Sequence, residues 1–163
     1  MGNRWKWKNI TNKLEDKLLS VHMGNIKDFF EENKNEIIDD EFAFSKYMRA
    51  KFKEKGVLQQ DVFLYSDIPE RYGYKLLSEQ KHTRQRDVIL RICYAAGLTL
   101  SETQRALKLY RLPILYSRIP RDAMLIICFN ERPGTVLEVN EFLIAQGQEP
   151  LRVSGNVEDT QGS

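Results

Sequence analysis

A chain of 163 residues, 42% hydrophobic and 29% charged, is long enough to bury a core without disulfides or metal and too apolar to remain a disordered polymer. Cys93 and Cys128 show no paired Cys/His spacing and read as buried thiols, and the longest apolar run, Ala123 to Phe129, is far too short to span a bilayer. The net charge of +2 conceals a segment from Gly24 to Ala43 with two Lys against seven acids, net −5, and one from Phe44 to Arg91 with eleven Lys/Arg against six acids, net +5.

In chain order, Arg4-Trp5-Lys6-Trp7-Lys8 reads as a chain-end tail without a signal-peptide core, so cytoplasmic residence is expected. Ile10, Leu14, Leu18 and Val21, then Ile26, Phe29 and Phe30, predict two short amphipathic helices within an N-terminal helical arm over 1–41. Phe44, Met48 and Phe52 at i, i+4, i+8, with Tyr47 beside them, predict a helix that stops at Gly56. Leu58 to Tyr65 reads as a short helix, Ser66-Asp67-Ile68 as a tight turn, and Pro69 as the first residue of another helix, where its missing N–H costs nothing.

An internal repeat occupies the second half. Arg86-Asp87-Val88-Ile89-Leu90-Arg91-Ile92-Cys93-Tyr94 aligns with Arg121-Asp122-Ala123-Met124-Leu125-Ile126-Ile127-Cys128-Phe129, so the two cysteines share one repeat position. Thr99-Leu100-Ser101-Glu102 and Thr135-Val136-Leu137-Glu138 both fit the capping box, in which Thr and Glu satisfy the unpaired N–H groups of a helix start. Each copy is therefore predicted to be a helical hairpin, closed by Pro113-Ile114-Leu115 or Pro150-Leu151. The Arg-Asp pair heading each hairpin reads as structural, since Asp in a first turn meets the helix dipole favourably. Two copies are too few for a free-standing solenoid, so the second should pack on the first, burying Ile127, Cys128, Val139, Phe142 and Leu143. The expected divisions are a helix-turn-helix bundle over 42–112, a C-terminal hairpin on the same core over 113–151, and a disordered tail over 152–163.

The segment from Gly56 to Leu76 resembles the helix-turn-helix of phage-repressor-like (XRE-type) regulators. Gln59 falls where that family starts its first helix with Gln, Val62 and Ile68 fall on its apolar positions, and Tyr72 and Leu76 match its second helix. Phe63 replaces the usual small Ala, Ser66 an apolar residue, Asp67 the turn Gly and Gly73 a packing Ile or Val. Asp tolerates the left-handed conformation, and Phe63 opposite Gly73 is a large-for-small exchange that keeps core volume. The pattern from Tyr72 through Arg84-Gln85-Arg86-Asp87, Leu100 to Gln104, Leu115-Tyr116 and Arg121-Asp122 is also similar to bacterial proteins in which this unit carries a C-terminal helical hairpin.

The resemblance implies an all-α, lambda-repressor-like helix-turn-helix bundle extended by a repeated hairpin, and a sequence-specific transcriptional regulator binding double-stranded DNA. Glu70, Arg71, Tyr74 and Lys75 would face base edges, Arg71 pairing with guanine, while Gln59, Lys81, His82 and Arg84 would hold phosphates. Regulators of this class commonly dimerise, so a homodimer is one expectation. The alternative is a protein-interaction or signalling adaptor on a scaffold that has lost DNA binding, docking through the acidic 24–43 stretch or the C-terminal hairpin. Catalysis is not expected, because His22 and His82 lie in no triad-like arrangement and no Gly loop cradles phosphate; no cofactor or metal is implied.

Overall fold

The computed structural model describes residues 2–37 and 41–153, with side chains from residue 10 onward. The side chains of Trp5 and Trp7, acidic Asp39 and Asp40, and the tail from Ser154 lie outside the described residues. The protein is all-helical, with no strand among the described residues, and divides into two compact units, Met1–Ala43 and Phe44–Ser163.

The first unit holds α1 (Gly2–Leu18), a single 3₁₀ turn at Met23–Asn25, and α2 (Ile26–Glu32). Val21, expected on the first helix, lies beyond its end, since α1 stops at Leu18. Lys17 Nζ donates to Asn33 Oδ1 at 2.6 Å while Asn33 Nδ2 donates to the Phe29 carbonyl at 2.8 Å, which ties α1 to the end of α2.

The second unit contains α3 (Ala43–Lys55), α4 (Gln59–Ser66), α5 (Glu70–Leu77), α6 (Arg86–Ala95), α7 (Leu100–Leu109), α8 (Pro120–Glu131) and α9 (Val136–Ala145). The α3 stripe of Phe44, Met48 and Phe52 is buried as its spacing requires. Gly56, at φ 66°, ends that helix with its N–H on Lys53 and the next N–H on Phe52, a left-handed cap that glycine adopts without strain. Helix α6 is the centre of the unit: every residue from Asp87 to Tyr94 is buried, with α4, α7 and α9 packed around it.

The two hairpins, α6–α7 and α8–α9, exchange bonds reciprocally. Arg86 grips Asp122 through two bonds of 3.1 and 2.5 Å, and Arg121 grips Asp87 through two of 3.1 and 2.9 Å. The same reciprocity runs through the backbone. Asp122 accepts the Tyr116 N–H and Asp87 accepts the Arg152 N–H; Arg86 donates to the Ile114 carbonyl and Arg121 to the Pro150 carbonyl. Gln104 clamps the backbone of Leu115, and its counterpart Asn140 accepts the N–H of Leu151. Such exchange between equivalent residues is the signature of a two-fold relation, not of the translational stacking of a solenoid. The Arg-Asp heads are thus structural, but through ion pairs across the hairpins as well as through the helix dipole.

Cys128, Val139 and Leu143 are buried in the shared core and Phe142 packs against it, whereas Ile127, expected there, is 47% exposed. The run Ala123 to Phe129 is apolar on every side of α8, so helical periodicity carried no information about which face turns inward. Arg152, expected in a loose tail, is anchored by its N–H on Asp87 and its carbonyl on Arg91.

Candidate nucleic-acid interface

Helices α4 and α5 are joined by only Asp67, Ile68 and Pro69. Asp67 ends α4 in the left-handed conformation at φ 55°, with its N–H on Leu64 and the Ile68 N–H on Phe63, so the turn closes without the usual glycine. Pro69, expected as the first helical residue, is instead the N-cap: its backbone is extended, and its carbonyl accepts the first helical bond from Gly73 at 2.8 Å. Phe63 fills the space against Gly73, where an added Cβ would lie 2.4 Å from the ring.

Gly73, Leu76 and Leu77 form the inward face of α5. Glu70, Arg71 and Tyr74 are exposed and Lys75 is half-buried. Arg71, in the first turn, makes no ion pair with any described residue. The Tyr74 ring packs edge-on against Phe63 at 5.0 Å, and desolvation together with neighbouring Glu70 raises its hydroxyl pKa. Gln59, Tyr74 and Lys75 line one shallow cavity of about 200 Å³ together with Arg49 and Gln80. Arg49 was not singled out in the sequence, because only the packing of α3 beside α4 and α5 brings it there.

The remaining expected phosphate contacts separate from this group. His82 stacks on Tyr110 with ring centroids 4.1 Å apart, and its Nε2 lies 3.2 Å from the Tyr110 carbonyl, so that nitrogen already has a partner. Lys81 is half-buried, its N–H bonded to the Lys75 carbonyl. Arg84 is exposed and lines a different cavity.

Part of the positive charge between Phe44 and Arg91 is spent inside the fold. Lys51 and Lys55 both pair with Glu102 at 2.8 Å, and Arg86 pairs with Asp122. Arg91 is buried and donates to three carbonyls, of Ser66, Leu151 and Arg152. What reaches the surface is Lys46, Arg49, Lys53, Arg71 and Arg84, with Lys75 and Lys81 partly exposed. Burial pushes the Cys93 thiol up to about 12 and raises that of Cys128, which leaves both as inert apolar groups. Among the described residues no cluster of three or more His, Cys, Asp or Glu is arranged to hold a metal ion, and no helix is long and apolar enough to cross a membrane. No family model, curated protein or solved structure matches the chain.

Proposed function

We propose that the second unit is a sequence-reading DNA-binding module of the phage-repressor-like type, with α5 entering the major groove. The observation that carries this reading is Arg71, exposed in the first turn of a helix that follows a three-residue turn. A helix-turn-helix presents that part of its second helix to base edges, and a planar guanidinium matches guanine. Glu70, Tyr74 and Lys75 extend the same surface, while Gln59 and Arg49 beside the Tyr74 cavity serve the phosphate backbone.

Selection from random duplex DNA at two salt concentrations tests it. A preferred site should emerge whose affinity falls steeply with salt. On that site Arg71→Ala should cost about 1–3 kcal/mol and blur preference at one base pair, whereas Arg49→Ala should weaken all sequences alike. Absence of salt-sensitive duplex binding, or unchanged preference in Arg71→Ala, overturns the assignment.

One observation favours a second reading, an adaptor on the same scaffold. Leu58, Leu64 and Tyr65 on or beside α4 are 67, 73 and 61% exposed, an apolar surface better suited to a protein partner than to phosphates.

A further inference from the structure

A cavity of about 460 Å³ opens where the two hairpins meet, and equivalent residues of both copies line it: Arg86 with Arg121, and Pro113 with Glu149. It therefore sits on the two-fold relation between the hairpins. Arg84 and Arg152 complete a set of four arginines, opposed by Asp87 and Glu149. Asp87 is already neutralised, since it takes both bonds of Arg121 and the N–H of Arg152. Arg84 and Arg152 are exposed, and their guanidinium groups make no ion pair with any described residue.

The first turns of α6 and α8 contribute Arg86, Asp87 and Arg121 to the wall, so two helix N-termini open onto one space. Neither start carries a side-chain cap, whereas the partner helices α7 and α9 each have a complete Thr/Glu capping box. Uncapped first-turn N–H groups and the positive dipole end both favour a bound oxyanion. The volume exceeds what a single inorganic phosphate needs and lies in the range of small-molecule sites.

We propose that this cavity binds a small molecule bearing a diphosphate, with one phosphoryl group at each helix start and Arg84 and Arg152 as the free clamps. Arg86 and Arg121 are held in place, and neutralised, by Asp122 and Asp87, so the unspent positive charge of the cavity is that of Arg84 and Arg152. Glu149 is the one lining carboxylate without a bonded partner among the described residues, and it opposes the ligand. The site is independent of the DNA reading and stands or falls separately from it.

Titration calorimetry of the full chain with inorganic pyrophosphate, at fixed ionic strength, tests the site. Saturable one-to-one binding is expected, with sulfate a weaker competitor. The Arg84→Ala/Arg152→Ala variant alters only exposed side chains; it should melt like the wild type and bind at least about tenfold more weakly. Glu149→Gln should bind more tightly by about two- to fivefold, because an opposing charge is removed. Amide NMR shifts should concentrate at 85–88 and 121–123. Failure to saturate, equal affinity for sulfate, unchanged affinity in the double-arginine variant, or shifts confined to other residues overturns the proposal. Protection of those amides by duplex DNA with none by pyrophosphate overturns it as well.

Discussion

Gly73 is a residue at which two local effects oppose each other. Glycine inside a helix costs about 1 kcal/mol relative to alanine, so propensity alone makes Gly73→Ala stabilising. Sterically, the added Cβ would lie 2.4 Å from a ring carbon of Phe63, which is 1% exposed and also packed against Tyr74, so the ring has little room to yield. Overlap should win. Gly73→Ala is expected to destabilise by about 1–3 kcal/mol in urea denaturation, and Phe63→Leu in the same chain should recover most of the loss. A Gly73→Ala protein as stable as the wild type would show that Phe63 moves freely. The pair was legible in the sequence as a large-for-small exchange, since both positions depart from one pattern. That Tyr74, a candidate base contact, leans on the same ring was not, because spacing along a helix does not disclose where an aromatic side chain rests.

Between elements, the most consequential polar contact joins α3 to α7 through Glu102. Burial pushes its carboxyl pKa up, but bonds from Lys51 and Lys55 and from the Thr99 N–H more than offset this and hold it at about 2 against an ordinary 4.5. A carboxylate with a depressed native pKa contributes stability that is fully present above its unfolded value and lost as pH falls through the native one. The Glu102 contribution should therefore disappear between about pH 4.5 and 2. Glu102→Gln is expected to cost about 1–3 kcal/mol near neutrality and to flatten that acid limb in melts recorded across the range. An unchanged acid limb would place the titrating group elsewhere. The capping box was readable because Thr and Glu stand three residues apart; the lysines, from a distant helix, were not. Likewise the repeat exposed the equivalence of Arg86 with Arg121, while their exchange of partners depends on a two-fold packing that alignment does not encode. Arg91, which links the end of α4 to Leu151 and Arg152, sat unremarked within an apolar stretch for the same reason.

At the scale of the molecule, the reciprocal hairpins make α8–α9 half of a closed unit. Removing residues 120–153 would take seven buried apolar side chains from the shared core: Leu125, Cys128, Phe129, Val136, Val139, Leu143 and Leu151. At about 1.5–3 kcal/mol for a fully buried large aliphatic or aromatic side chain, the loss is on the order of 10 kcal/mol, comparable with the whole stability of a typical domain. Polar losses act in the same direction. Arg86 would lose Asp122, buried Asp87 would lose Arg121, and Arg91 would keep only the Ser66 carbonyl, leaving charged groups without their compensation. The truncated chain should therefore show a broad melt without a calorimetric peak, or no folded baseline, whereas Ile127→Ala, which alters an outward-facing side chain, should shift the midpoint little. A truncated chain that melts as sharply and as high as the full protein would mean that α3–α7 form a self-sufficient core, and that the two-fold contacts join independent parts rather than complete a single one.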